Sequence, residues 1–304
     1  MEVTGLFSLD GVEIEDTFAE LFEMWVGRIL ITAENEKWAF TAANVATGFA
    51  SSIIGSPAEA GVEGMVSPKE TPDGRVGALI QIYHQTRQDL KKQMVGRIGQ
   101  CIMTCPTTSA FDALPEAVRR LKVGRSLRFF GDGFQRKDEI AGRKVWRIPV
   151  MEGEFIVENS FGVKKAAAGG NFLIFAKDRD SGLKAAEKSV SAILRNVDSV
   201  ILPFPGGVCR SGSKVGSLKY KLPASTNHPF CPTLRENLPE TQVTKNANCV
   251  YEIVINGLSL ERVKRAMAEG IKAAVKVPSV VRISAGNYGG KIGPMKIYLH
   301  EILK

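Results

Sequence analysis

The chain has 304 residues, 44% of them hydrophobic and 24% charged, and a formal net charge of +8. That composition is ordinary for a globular protein of one large or two medium domains. No apolar run approaches the ~18 residues of a membrane-spanning helix. The opening MEVTGLFSLDGVEIEDTF lacks the basic start and apolar block of a secretory signal, so a cytoplasmic protein without membrane contact is expected. The five cysteines (Cys101, Cys105, Cys209, Cys231 and Cys249) and three histidines (His84, His228 and His300) follow no disulfide or metal framework, so they read as core or surface residues and no metal site is expected. The basic residues are dispersed, with no Lys/Arg block and no aromatic RNA-binding strand, so nucleic acid is not indicated and a small substrate carrying carboxylates or phosphate fits the charge equally well.

In chain order, VGRILITA (26–33) reads as a strand. It is followed by a helix around 35–49 with Trp38, Ala42, Val45 and Phe49 on one face, then by a strand at SSIIG. A long insertion at roughly 55–76 leads to the strand GALIQIYHQ. A helix over about 87–104 follows, with Thr86 and Asp89 as a capping pair, and then a strand at SLRFFGDG. After GRKVWRIPV the order repeats: strand NFLIFAKD, helix around 182–197, strand SVILPF, insertion 205–248, strand CVYEIVING, helix around 260–276 with Ser259 as N-cap, and strand VVRISAG. Each half is thus β-α-β, insertion, β-α-β. That order predicts an α+β protein of two tandem ferredoxin-like (split βαβ) lobes, residues 1–150 and 151–304, with mainly antiparallel sheets. The competing doubly wound parallel sheet would need a phosphate loop at a strand-to-helix turn, and neither GxxxxGK[ST] nor a strand-linked GxGxxG is present.

Glycine- and hydroxyl-rich stretches are read as loops that approach a ligand: SPAEAG (56–61), CPTTSAFD (105–112), FFGDG (129–133), AAAGGNF (166–172), FPGGVCRSGSKVGS (204–217), PASTNHPFCP (223–232) and SAGNYGGKIG (284–293). One strand is anomalous. CVYEIVING carries Glu252 among β-branched and aromatic residues, sharing a face with Val250, Val254 and Asn256. Either that face meets solvent, or the carboxyl is sheltered for proton transfer. Glu59 in PAEAG and Asp132 in FFGDG are the competing carboxylates, and Glu152 and Glu154 read as solvent or lobe-joining residues.

The runs SPAEAG, ETPDGR, SAFDALPEA, FFGDG, EGEFIVE, FPGG, PASTN, VYEIVINGL and SAGNYGGKIG occur in an order that resembles formylmethanofuran–tetrahydromethanopterin formyltransferases, including the homologous subunit of bacterial formyltransferase/hydrolase complexes. The resemblance extends from about residue 10 to the C-terminus. It implies transfer of a formyl group between methanofuran and N5 of tetrahydromethanopterin, with these carriers as cosubstrates and no metal or prosthetic group. It also implies assembly as a homo-oligomer (dimer or tetramer) or within such a complex. It assigns the acid/base role to Glu252. Substrate contacts are expected from Asn171, Lys214, Ser225, Thr226, Asn227, Ser284, Asn287 and Lys291, with Glu59 and Asp132 as further candidates. The alternatives are a basic RNA-binding module and a non-catalytic scaffold subunit.

Overall fold

The structure, a computed structural model, describes residues 6–304. It is a mixed α+β protein with mainly antiparallel strands and six α-helices among the described residues. The chain forms two compact units, Met24–Ala166 and the residues up to Glu23 together with Ala167–Lys304. Two long strands, β3 (Phe18–Thr32) and β11 (Phe161–Ala176), carry the chain from one unit into the other.

In the Met24–Ala166 unit, β3 pairs with β5 (Gly77–His84) and β6 (Ser109–Asp112), and β4 (Glu59–Val66) pairs with β5, all antiparallel. The spatial order is β6-β3-β5-β4. Helix α1 (Glu36–Thr47) starts where the Asn35 side chain accepts the Trp38 N–H, and α2 (Arg87–Arg97) where Thr86 accepts the Asp89 N–H, as the capping signals predict. The short β7 (Arg119–Leu121) pairs antiparallel with the start of β11, and the β-hairpin of β8 (Arg136–Ile140) and β9 (Arg143–Val150) continues through β10 (Gly153–Glu158), which pairs in parallel with β6.

Three readings of this half are corrected. SSIIG forms turns, and the strand after α1 is β4, inside the supposed insertion. SLRFFGDG is helical, running through α3 (Val123–Leu127) into a 3-10 turn at Arg128–Gly131, while the strand after α2 is β6. Strand β6 has only four residues, all buried, and so has no period to detect. Helix α1 turns Ala39, Ala42, Ala43 and Ala46 inward, whereas Val45 and Phe49 are 55% and 79% exposed. Small residues let this helix lie close on its sheet, so the larger apolar residues did not mark the inner face.

In the other unit, β13 (Cys249–Gly257) lies between β11 and the short β12 (Val200–Ile201), and β11 pairs on its far side with β14 (Val280–Ser284). All three pairings are antiparallel, giving the order β12-β13-β11-β14. The hairpin of β1 (Leu6–Leu9) and β2 (Val12–Glu15) extends this sheet through a parallel β2–β14 pair. The last strand, β15 (Met295–Tyr298), pairs with the start of β3 and leads into the single-turn α6 (Leu299–Ile302). AAAGGNF is part of β11 rather than a loop; its glycines mark a bulge between Ala167 and Gly170, with Gly169 at φ +89°.

Helices α4 (Arg179–Asn196) and α5 (Leu260–Ala274) cover one face of this sheet. Ser259 caps α5, and Val263, Ala266, Met267, Ile271 and Ala274 recur at helical spacing to bury one stripe. Full burial of each larger side chain in that stripe is worth about 1.5–3 kcal/mol. Gly270 permits the close approach, because a Cβ there would lie 2.7 Å from the Phe172 ring and 2.9 Å from Ile193. The opposite sheet face is covered by the insertion between β12 and β13. Phe230, Val243 and Ala247 from that insertion pack on Leu173, Phe175 and Val250.

Candidate active site

Glu252 stands on the face covered by the insertion. Its strand partner is Leu173 of β11, and paired residues share a face. On its other side, the backbones of Glu252 and Cys209 exchange both hydrogen bonds, at 2.8 and 3.0 Å. The start of the insertion is thereby laid along β13, and Ser213 is carried over the carboxyl. Glu252 is 3% exposed. Ser213 Oγ donates to Oε1 at 2.6 Å, and the buried Oε2 has no hydrogen-bond partner. Burial pushes this carboxyl above its ordinary range, against the smaller opposing effect of hydrogen bonds from Ser213 and Cys209.

The carboxyl lines a cavity of about 550 Å³ with Asn171, Ser213, Lys214, Asn227, Phe230, Ser284 and the 285–288 loop in its wall. The size suits a small-molecule ligand. Tyr288 contributes an aromatic wall, and its hydroxyl donates to the Ser213 carbonyl at 2.8 Å. Burial, with the charges of Glu252 and Glu20, raises the phenol to about 12, so it keeps its proton and acts as a donor. Lys214 Nζ is 2.9 Å from His228 Nδ1, and His228 Nε2 is 3.5 Å from Glu240. An ammonium only donates. His228 therefore accepts at Nδ1 and carries its hydrogen at Nε2, toward the carboxylate.

The 285–293 loop is organised by Glu20 of β3, which is 2% exposed. Its carboxylate accepts the backbone N–H groups of Tyr288 (2.7 Å), Gly290 (2.9 Å), Ile292 (2.6 Å) and Gly293 (2.5 Å). Burial alone would raise this carboxyl, but the four donors together outweigh it and hold the group below its ordinary range. Asn171 joins the same loop to β11: its Nδ2 donates to Gly286 O at 3.0 Å, and its Oδ1 accepts the Gly286 N–H at 2.6 Å. Asn287 Nδ2 donates to Thr17 Oγ1 and Phe18 O at 3.2 and 3.1 Å.

The structure thus gathers Glu252, Asn171, Lys214, Asn227, Ser284 and Asn287 around one cavity. Ser225, Thr226 and Lys291 lie outside its lining. Ser225 Oγ ties back to Gly216 O at 2.6 Å, Thr226 Oγ1 meets Cys231 Sγ at 3.4 Å, and Lys291 is exposed. Glu59 and Asp132 belong to the Met24–Ala166 unit. Glu59 accepts the Ile53 N–H at 3.0 Å, and Asp132 takes a left-handed turn conformation at φ 49°. Ser213, Tyr288, Phe230 and Glu20 were not singled out by sequence reasoning. Nothing local distinguishes them, although SGS and NYGG lie within loops already marked as ligand-facing. Among the described residues, no group of three or more His, Cys, Asp or Glu could hold a metal ion, and no helix is long and apolar enough to cross a membrane.

Comparison with known proteins gives a concordant result. The family model described as formylmethanofuran-tetrahydromethanopterin formyltransferase matches residues 7–150, and its companion, the FTR proximal lobe, matches residues 153–302. The formylmethanofuran–tetrahydromethanopterin formyltransferase of Methanopyrus kandleri is 56% identical over 97% of this chain and 99% of its own length. The solved formyltransferase of Methanosarcina barkeri superposes with a TM-score of 0.94 at 50% identity, covering 97% of this chain and all of that one. A chain of the Methylorubrum extorquens formyltransferase/hydrolase complex, solved with methylofuran, gives a TM-score of 0.94 at 41% identity and 99% coverage of both chains. Matched by the family models over residues 7–150 and 153–302, and 56% identical to the Methanopyrus kandleri enzyme along nearly its whole length, the chain belongs to the formylmethanofuran–tetrahydromethanopterin formyltransferase family.

Proposed function

We propose that this protein transfers a formyl group between N-formylmethanofuran and N5 of tetrahydromethanopterin, with Glu252 as general acid and base. Family membership supports the reaction. The observation that supports the residue is the orphan Oε2: a buried carboxyl oxygen without a partner, in a residue that lines the cavity and whose burial favours the protonated form.

Attack of N5 on the formyl carbon forms the new C–N bond and a tetrahedral intermediate. The proton lost from N5 passes to Glu252. Its return to the methanofuran nitrogen makes that amine a competent leaving group, and the old C–N bond breaks. A carboxyl raised above its ordinary range can serve both steps, because it holds the proton more readily than an ordinary carboxylate and can still return it. The wall also holds the carboxyls of Glu15 and Glu240, so an anionic group of a carrier would meet the site at Lys214.

Two finer assignments belong to the same proposal. The strand orders β6-β3-β5-β4 and β14-β11-β13-β12 are each the fourth, first, third and second strand of a β-α-β-β-α-β series, which supports the reading of two ferredoxin-like lobes. The same proposal places the protein in the cytoplasm, as a homo-oligomer or, like the similar Methylorubrum extorquens chain, as a subunit of a formyltransferase/hydrolase complex; the mass of the native particle separates the two assemblies.

The test is a formyl-transfer assay of the purified chain and of Glu252→Gln. We expect turnover in the parent and a loss of about 10²–10⁴-fold in the variant, with KM changed little. Undiminished turnover of Glu252→Gln removes the acid/base assignment.

A further inference from the structure

The two oxygens of a carboxyl group are equivalent until the surroundings distinguish them, and around Glu252 they do. Ser213 Oγ lies 2.6 Å from Oε1, whereas Oε2 is buried without a partner. A hydroxyl has one hydrogen to donate. Once that hydrogen is given to Oε1, the lone pairs of Oε2 are the ones left for a proton.

Ser213 is itself held. Its carbonyl accepts the Tyr288 hydroxyl at 2.8 Å, and the Tyr288 backbone N–H is fixed on Glu20 at 2.7 Å. Tyr288 is thus anchored at both its backbone and its phenol. The groups that face Glu252 are the Cys209 thiol across the paired backbone, the Tyr288 phenol, and Lys214, Glu15 and Glu240 in the same cavity wall; none of them occupies Oε2.

We propose that Ser213, held by Tyr288, is a positioning residue that engages Oε1 of Glu252 and so makes Oε2 the oxygen that takes and returns the proton. The inference rests on the acid/base reading of Glu252 given above. In the forward half of transfer, the N5–C bond forms as the N5 proton moves to Oε2. In the second half, that proton moves from Oε2 to the methanofuran nitrogen as the old C–N bond breaks. Throughout, Ser213 keeps its own proton and donates to Oε1. Because this bond favours the charged form of the carboxyl, its loss makes Glu252 harder to ionise.

The experiment is the pH dependence of kcat and KM for the intact protein and for Ser213→Ala, Ser213→Thr and Tyr288→Phe, alongside Glu252→Gln. With Glu252 required as a base, the rate climbs with pH through its titration. Ser213→Ala is expected to move that acid limb upward by about one pH unit. It should lower kcat at neutral pH about tenfold while leaving KM nearly unchanged. Ser213→Thr, which restores a hydroxyl, should bring the limb back. Tyr288→Phe leaves the backbone anchor on Glu20 in place and should shift the limb in the same direction by less. If the limbs of Ser213→Ala and Tyr288→Phe superimpose on that of the parent while Glu252→Gln is inactive, the positioning role is wrong and the acid/base role stands. If Glu252→Gln is fully active, the underlying reading fails first. Lower thermal stability with an unmoved limb and kcat would make Ser213 and Tyr288 merely structural and overturn the inference.

Discussion

Asn171 and Gly286 hold each other by two hydrogen bonds, amide to carbonyl at 3.0 Å and backbone N–H to amide oxygen at 2.6 Å. One side chain on β11 thus substitutes for a strand partner and fixes the loop that carries Tyr288. An asparagine suits the task because its amide both donates and accepts. Asn171→Asp keeps the acceptor but sets a carboxylate oxygen against the Gly286 carbonyl. We expect Asn171→Ala and Asn171→Asp each to cost about 1–3 kcal/mol in denaturant unfolding. Asn171→Ala at full stability would show that the loop does not depend on this pair.

Glu20 makes stability depend on pH in a defined direction. Its carboxyl is lowered in the folded protein, so its contribution is present above the unfolded carboxylate value and is lost as pH falls through the folded one. Glu20→Gln should cost about 2–4 kcal/mol at neutral pH. The gap between parent and variant should close below the ordinary carboxylate range. A gap of constant size from neutral pH down into the acid range would mean that the charge is not what holds the loop.

Glu252 has the opposite sign. Burial raises its carboxyl, so the folded state binds the proton more tightly than the unfolded one. The stability it contributes is complete below the unfolded value and is lost as pH rises through the folded one. Glu252→Gln can still accept from Ser213 and needs no ionisation. The variant should therefore match the parent in acid and melt at higher temperature once pH has risen through the folded value, even as turnover falls. A variant that melts lower than the parent across the whole alkaline side would contradict the burial argument.

Gly162 is a packing constraint in the Met24–Ala166 unit. A Cβ there would lie 2.0 Å from the Leu114 carbonyl, and the Gly162 N–H already donates to the buried Asp112 at 3.0 Å. Backbone, not a flexible side chain, would have to move. Gly162→Ala is expected to destabilise by more than ~3 kcal/mol. A melting temperature equal to the parent's would show that the strand shifts freely.

The parts of the fold that were legible are those with a period and a cap. Ser259 followed by Val263, Met267 and Ile271 locates α5 to within two residues, and Thr86 with Asp89 locates the start of α2. Strands β4 and β6 escaped notice for physical reasons. The first is interrupted by two glycines, and the second is four residues long and wholly buried. At the site, Glu252 was conspicuous because a carboxylate in an apolar strand needs an explanation. Glu20 was not, since alternation alone would put such a residue on a wet face. Its donors come from residues 268 to 273 positions further along, and no local pattern records a partnership at that range. The binding candidates follow the same rule. Asn171 and Asn287 reach the cavity, but their amides are largely taken up by backbone groups, which composition does not reveal.

The discontinuous unit has a consequence for synthesis. Strand β2 finds its partner in β14, and the start of β3 finds its own in β15, more than 260 residues later. Residues 24–166, by contrast, are contiguous. On the ribosome, that stretch can close its core early, while the N-terminal strands emerge first and wait longest. The segment bearing Glu20 is thus made well before the residues that donate to it, so the cavity acquires its working form only when residues 280–298 fold back onto β2 and β3.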